Sequence, residues 1–180
     1  MRRVLALTLA LGATTALAAT TPNAARFPGR SREAVAPGRR FAVAWVPPDG
    51  AHQAGHLLLL HDLASNRYKV LRSFGRWVDV TWSPDGRWLA VADAVGSDGT
   101  ISFVYAVAND APPIPVWELL ERQHGVKSLA FTSGSDHLYV VADRWMDDQT
   151  LSVRLWGYGG GKSFDRRLQV RLSESGAAEQ

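Results

Sequence analysis

The amino-acid sequence predicts an all-β protein made of antiparallel strands. From residue 40 onward, short runs rich in β-branched and aromatic residues alternate with turn residues. The clearest case is the stretch Trp82–Asp93, in which Ser-Pro-Asp-Gly stands between two apolar runs. Long stretches with the helical period of apolar residues do not occur between residues 40 and 172. These observations favour a series of hairpins over an α/β enzyme fold.

The central turn is Ser83-Pro-Asp-Gly86. Ser83 can cap the turn through its hydroxyl, Pro84 fixes φ at the first central position, and Gly86 tolerates positive φ. We therefore expect the strands at 77–82 and 87–93 to form a hairpin. Further strands are predicted at 40–45, 55–62, 67–73, 101–108, 114–120, 127–131, 137–143, 151–157 and 164–172. The apolar spacing of 114–120 also suits a short helix, but the repeat pattern favours a strand.

The hairpin recurs along the chain with a period of about 50 residues. Three pairs of positions keep this spacing: Trp82 and Phe131, Asp93 and Asp143, Ile101 and Leu151. A weaker copy precedes them near residues 41–61. Repeats of roughly this length, made of short strands, are typical of propeller blades. The sequence therefore predicts an incomplete β-propeller of about three blades of antiparallel strands.

The stretch Trp82-Ser-Pro-Asp-Gly-Arg-Trp-Leu-Ala-Val91 resembles the WD40-like, TolB-type propeller repeats of bacterial exported proteins. In those repeats a hydrophobic-Ser-Pro-Asp-Gly turn precedes the second strand of each blade. The resemblance covers about residues 40–172, and the middle copy matches best. The downstream copy has Thr132-Ser-Gly-Ser-Asp136 at the turn. The resemblance implies a propeller whose large tryptophan rings pack between blades.

The sequence divides into four segments. Residues 1–18 join a basic start to an apolar run that ends in small residues, which is typical of a signal peptide and shorter than the roughly 20 residues of a membrane span. Residues 19–39 contain three prolines and are predicted to be a flexible lead-in. Residues 40–172 form the propeller-like repeat domain, and 173–180 a disordered tail. We therefore expect a periplasmic or secreted protein with no stable membrane span after cleavage.

The composition narrows the classes of partner. The chain has 20 Lys and Arg against 17 Asp and Glu, and no basic cluster carries interleaved aromatic residues. This pattern does not predict nucleic-acid binding. The sequence has 0 Cys, so core packing rather than disulfides must hold the domain together.

Several residues suggest catalytic or metal chemistry without completing a motif. The glycines before Lys162 resemble a phosphate-binding loop, but Trp156 stands where that motif needs glycine, so we expect a flexible hairpin turn. His52, His56 and His61 are potential metal ligands. His56 and His61 are five residues apart, so in a strand their side chains point to opposite faces and do not converge on one ion. No Gly-x-Ser-x-Gly elbow occurs. We therefore predict no catalytic residues, cofactor or metal.

Acidic hairpin residues leave one alternative open. Calcium binding would use oxygen ligands from Asp143, Asp147 and Asp148, or from Asp93 and Asp98. Their spacing differs from that of an EF-hand loop, and acidic residues are common in turns for local reasons. We favour the local turn function.

The candidate partner-binding site is the polar loop with Arg144, Trp145, Asp147 and Asp148. Trp145 is the tryptophan most expected to be exposed, and an exposed aromatic beside charges is typical of a protein contact, although we favour packing in the core or the hairpin for it. The sequence therefore favours a non-catalytic periplasmic binding or scaffold protein with an unidentified protein partner. The alternative is a subunit of a closed oligomeric propeller, such as a homodimer, with a small-ligand or hydrolytic site in its channel.

Overall fold

The computed structural model describes residues 23–47, 55–126, 137–159 and 161–173. Within them lie twelve strands and one helix: β1 (Ala24–Phe27), β2 (Glu33–Val35), β3 (Phe41–Val46), β4 (His56–Asp62), β5 (Arg67–Phe74), β6 (Val78–Trp82), β7 (Trp88–Asp93), β8 (Gly99–Ala106), β9 (Ile114–Pro115), α1 (Val116–His124), β10 (His137–Trp145), β11 (Thr150–Gly159) and β12 (Lys162–Arg171). The all-β prediction is confirmed. The predicted signal peptide, the predicted strand at 127–131, His52 and residues 174–180 lie outside the described residues.

The strands form a four-stranded sheet and an eight-stranded sheet, and β8 and β10 join two parts of the larger one, which we call the central sheet and the C-terminal sheet. The N-terminal sheet has the order β2-β3-β4-β5. The central sheet has the order β1-β6-β7-β8, with β9 on the far edge of β8. The C-terminal sheet is β10-β11-β12. Every residue of β7 is buried, because both faces of the central sheet are covered.

Two clusters of apolar side chains lie on the two faces of the central sheet. The first cluster packs the N-terminal sheet against it, with Leu58 and Leu60 facing Leu89, Val91 and other residues. The second cluster packs the C-terminal sheet and α1 against the opposite face. Residues of β7 therefore alternate between the clusters, since neighbouring side chains of a strand point to opposite faces. This alternation explains why the whole strand is apolar except for Asp93.

The predicted hairpin turn between β6 and β7 is confirmed. The Ser83 hydroxyl donates to Asp85 Oδ1 at 2.6 Å and accepts from the Trp88 N–H at 3.0 Å. Gly86 has φ of +71° and donates its N–H to the Ser83 carbonyl oxygen at 2.9 Å. Burial acts to raise the pKa of Asp85, but hydrogen bonds from Ser83 and Arg87 outweigh it and hold that pKa below its usual value.

Replacing Gly86 by alanine is expected to destabilise the fold by about 3 kcal/mol. The positive φ strains any side chain, and the added Cβ would lie 2.5 Å from the carbonyl oxygen of Pro37. Gly38→Ala is the matched control, because Gly38 has φ of +79° with nothing within 4 Å of the added Cβ. Urea unfolding of both variants measures the difference. Equal losses would show that backbone strain alone, without the close approach, sets the cost.

The segment 114–120 was predicted as a strand, and that prediction is wrong. Only Ile114–Pro115 pairs with β8, and Val116–His124 forms α1. Val116, Leu119 and Leu120 share one helix face and are buried in the second cluster. Gly125 ends the helix in the left-handed region, with φ of 63°. The segment forms a helix because the helical spacing of its apolar residues places them together on the second cluster.

The segment 19–39 contains two strands rather than only a flexible lead-in. β1 pairs with β6, and β2 pairs with β3. Phe27 is buried in the first cluster. Arg26 forms two bonds of 2.6 Å to the Asp79 carboxylate, and this ion pair joins β1 to β6 at the surface. β1 is only four residues long and has no β-branched residue, which is why the sequence pattern missed it.

The C-terminal sheet joins the central sheet at a fork. β8 and β10 share only two parallel residue pairs: Gly99 with Leu138, and Thr100 with Tyr139. Beyond them the Ser102 hydroxyl bridges the strands, donating to the Val140 carbonyl oxygen at 2.7 Å and accepting from the Ala142 N–H at 2.9 Å. From there β10 crosses the central sheet and lies against β6 and β7. The described helix is too short and too polar to cross a membrane.

Candidate functional site

In the loop predicted to bind a partner, some side chains are exposed and one packs against the core. Arg144 and Asp148 are exposed. Trp145 is half-buried against the second cluster, and its indole N–H donates to the Thr81 carbonyl oxygen at 3.1 Å. Trp145 therefore follows the favoured packing interpretation and is not a fully exposed contact residue. The ring is held by β6, because β10 crosses the central sheet at this point.

The Asp147 side chain forms hydrogen bonds within its own turn. Its Oδ1 accepts from the N–H groups of Gln149 at 2.8 Å and Thr150 at 2.6 Å. The Gln149 N–H, together with Thr150, holds the pKa of Asp147 below its usual value. The carboxylate is thus occupied by a hairpin, which is the local turn function that the sequence favoured.

The order of the 145–150 hairpin is expected to fall at acid pH. The lowered pKa of Asp147 means that its contribution is present above about pH 4, the unfolded value, and is lost as the pH falls through the lower folded value. Carboxyl NMR titration should place the Asp147 midpoint below that of an unstructured aspartate. Asp147→Ala removes the acceptor and should give faster amide exchange at Gln149 and Thr150 at neutral pH, whereas Asp148→Ala should not. Unchanged exchange in Asp147→Ala would contradict the turn function.

A second surface, which the sequence patterns did not predict, is the outer face of the C-terminal sheet. Four aromatic side chains lie there, on neighbouring positions of β10 and β11: His137, Tyr139, Trp156 and Tyr158. We call this set the aromatic face. Tyr139 stacks on Trp156 with ring centroids 3.8 Å apart, and His137 stacks on Tyr158 at 4.2 Å. Tyr158 is 46% exposed.

The rings are fixed by further contacts. The Tyr139 hydroxyl donates to the Ser97 carbonyl oxygen at 2.7 Å. Burial raises the pKa of Tyr139, and the neighbouring Tyr158 acts in the same direction. The aromatic face is therefore a preorganised surface, since its side chains lose little rotamer freedom on contact.

Charged pairs border the aromatic face on the β12 side. Arg154 binds the Asp165 carboxylate through two bonds of 3.0 and 2.6 Å. The Arg154 guanidinium lies 5.6 Å from the Trp156 ring centroid. Arg167 lies 3.9 Å from Asp143. An aromatic centre with a charged rim is the arrangement found in protein–protein interfaces.

A signal for this face exists in the sequence. His137-Leu-Tyr139 and Trp156-Gly-Tyr158 both place aromatic rings two residues apart, on two strands that flank a predicted hairpin. Cross-strand pairing brings such positions together on one face. The pairing register was not predictable, because a bulge between Ala142 and Arg144 shifts it by one residue relative to the upstream repeat.

The described cavities do not assemble catalytic groups. A groove of about 510 Å³ has Arg40, Arg67 and Lys69 in its lining, but Lys69 binds Asp110 at 2.8 Å and Asp62 accepts N–H groups of its own turn. A second groove, at the fork, has a volume of about 250 Å³ and an apolar lining that includes Trp117. Lys69 and Asp62 are thus engaged locally in the first groove, and the second groove is apolar.

A buried ion pair lies between the N-terminal and central sheets. Arg72 Nη2 lies 2.6 Å from Asp93 Oδ2, and burial raises the pKa of Asp93 although Arg72 opposes the rise. The Asp93 side chain is 4% exposed, so a substrate cannot reach it. Perturbed titration here reflects packing between two sheets rather than an accessible site.

The sequence's other candidates lie apart. His56 packs between Trp45 and Phe74, whereas His61 stacks on Tyr68 at 4.0 Å on the outer face, as the spacing predicted. In the part of the chain that the structure describes, no three His, Asp or Glu side chains are grouped as metal ligands. The glycine-rich stretch before Lys162 joins β11 to β12 as the predicted hairpin.

Comparison with known proteins identifies no relative. No protein-family model matches the chain, and no curated protein matches it significantly. The likeness to TolB-type repeats therefore rests on the turn motif and its spacing.

Proposed function

We propose that the protein is a non-catalytic, periplasmic or secreted binding and scaffold module of TolB-like propeller type. In this proposal the three sheets are blades of an incomplete propeller, and the aromatic face of the last blade contacts another protein. The observation that carries the proposal is the stacked set of half-buried His137, Tyr139 and Trp156 with exposed Tyr158, bordered by charged pairs. The stacking of sheets through two apolar clusters and the turn at Ser83–Gly86 support the blade interpretation.

The geometry favours a protein over a nucleic acid as the partner. Bases bind single aromatic rings through open ring faces. Here the facing sides of both ring pairs are closed at 3.8 and 4.2 Å, so ring edges and the Tyr158 side chain are what a partner meets. The neighbouring guanidiniums already have carboxylate partners in Asp165 and Asp143. A protein surface with apolar side chains at its centre fits this arrangement.

Site-specific photocrosslinking tests the proposal. A photoreactive phenylalanine analogue replaces Tyr158 in the full chain in exporting cells, and a second variant carries it at Tyr68 on the opposite outer sheet as a matched exposed tyrosine. We expect one discrete protein adduct from position 158 that disappears in Trp156→Ala. Equal labelling from both positions, or an adduct unaffected by Trp156→Ala, would contradict the proposed face.

A closed homodimeric ring is the second candidate, and one observation favours it. The outer face of the N-terminal sheet is also apolar: Tyr68 is 57% and Val70 is 56% exposed. Both terminal sheets thus present uncovered apolar surface, which is unusual in a monomer. Two copies related by a two-fold axis would cover both faces at once.

Light scattering of the full chain decides between the candidates. A dimer that dissociates in Val70→Glu supports ring closure. A monomer, or a dimer indifferent to that substitution, would contradict it and leave the aromatic face to a different protein.

A further inference from the structure

One edge of the C-terminal sheet carries unpaired backbone groups. β12 pairs with β11 on one side only. The Leu172 N–H donates to Gln149 on the β11 side, so the even-numbered backbone groups of β12 face β11. The odd-numbered N–H and C=O groups, from Ser163 to Arg171, therefore face away from the sheet.

Helix α1 covers the end of this edge, and its side chains form hydrogen bonds to the backbone of β12 as a neighbouring strand would. The Gln123 amide donates to the Arg171 carbonyl oxygen at 2.7 Å and accepts from the Arg171 N–H at 2.9 Å. His124 Nε2 lies 2.7 Å from the Gln169 carbonyl oxygen. These contacts show that the outward groups of β12 are available for strand-like pairing, and that α1 uses them only from residue 169 onward.

The remainder of the edge is open. Ser163, Asp165 and Arg167 are exposed, and among the described residues no group pairs with their outward backbone atoms. We call residues 163–167 the open edge. Three consecutive outward residues offer up to six hydrogen bonds to an added strand.

The charge around the open edge is positive. Lys162, Arg166 and Arg171 of β12 are joined by Arg122 at the end of α1. The single acid of the strand, Asp165, is bound by Arg154 at 2.6 Å. Pairing with a second copy of β12 would bring these cations together, which is unfavourable. A negatively charged strand has the complementary charge.

We propose that the open edge binds an extended acidic segment of a partner protein, which adds to the C-terminal sheet as a further β-strand. Backbone hydrogen bonds at Ser163, Asp165 and Arg167 supply the pairing, and the cations of β12 and α1 select carboxylate side chains. This inference goes beyond the proposed function, because it uses backbone atoms at the sheet edge and not the aromatic face. The opposing view is that the cations only protect an exposed edge from association.

The test uses the full chain and a fluorescent extended peptide of about eight residues that alternates Glu with Thr or Val. The control peptide has the same sequence with alternate backbone nitrogens methylated, which keeps the charge and removes the pairing. Fluorescence anisotropy should show saturable binding, weakened at least about tenfold by methylation, as expected from the loss of one or more hydrogen bonds. In NMR spectra, hydrogen exchange should slow at the Ser163, Asp165 and Arg167 amides.

Two variants separate this proposal from the aromatic face. Arg167→Pro removes an outward N–H and is expected to weaken the peptide about tenfold, whereas Arg167→Gln, which keeps the N–H, weakens it less. Trp156→Ala should bind the peptide as the unmodified chain does. Equal binding of the methylated peptide, or absence of saturable binding at about 1 mM, overturns the proposal without bearing on the aromatic face.

Discussion

Replacing Arg72 by methionine is expected to lower the free energy of unfolding by about 3 kcal/mol at neutral pH. Arg72 is the counterion of Asp93 across the first cluster, and the two side chains are 17% and 4% exposed. Methionine keeps much of the apolar stem, so the loss reports the unpaired carboxylate. Urea unfolding followed by tryptophan fluorescence measures it.

The pH dependence gives the sign of this effect. Because burial raises the folded pKa of Asp93, its contribution to stability is fully present below about pH 3.9 and is lost as the pH rises through the folded value. Arg72 lowers this pKa, so the folded pKa of Asp93 is higher in the variant. As the pH rises, the stability of the variant therefore continues to fall to a higher pH than that of the unmodified protein. The difference between the two proteins should therefore shrink from neutral pH toward about pH 4.

The control is the double variant Arg72→Met with Asp93→Leu. An apolar pair in place of a buried ion pair is often neutral or stabilising, so the double variant should recover most of the loss. A double variant as unstable as Arg72→Met would show that the guanidinium acts mainly through other contacts, such as the Phe103 ring 4.3 Å away. A difference independent of pH would also contradict the buried-carboxylate explanation.

Replacing Trp82 by alanine is expected to cost about 4 kcal/mol. The ring is 1% exposed in the first cluster. Its indole N–H donates to the Ala34 carbonyl oxygen at 3.3 Å, which ties β2 to the central sheet. The substitution therefore leaves a cavity and removes a hydrogen bond between two sheets. Thermal and urea unfolding measure the loss.

Two substitutions calibrate this value. Trp82→Phe fills most of the cavity but removes the donor, so it should cost less than half as much. Trp77→Ala removes a half-buried ring that lies beside Arg26 and Arg76, and it should cost little. If Trp77→Ala were as destabilising as Trp82→Ala, burial in the first cluster would not be the reason for the importance of Trp82.

Local sequence patterns predicted the all-β class and most of the strands. The turn at Ser83–Gly86 was predictable because each of its residues has one conformational or hydrogen-bonding role, and all of them act within the turn. Apart from 114–120, the predicted strands within the described residues are present. β1 was not predictable, because Ala24–Phe27 gains its partner from β6, far along the chain. Pairing over such a distance leaves no local pattern.

The candidate site was less predictable, for a related reason. Trp145 stands between charged residues, which is typical of exposure, but β10 crosses β6 and gives its indole a carbonyl partner. The aromatic face arises from a register between two strands, and the open edge from the point at which α1 stops. Residue type indicated the chemistry in each case, and tertiary pairing decided which groups are accessible.

The pairing of β1 with β6 also governs the order in which the chain can assemble. Ala24 lies opposite Thr81, so a growing chain must extend by about 57 residues before the first strand finds its neighbour. Until then Phe27 has no core to enter, whereas β3, β4 and β5 can pair as soon as they emerge. β1 can therefore dock only after β6 has been made, later than β3, β4 and β5 can pair with one another, and it then forms the edge of the central sheet.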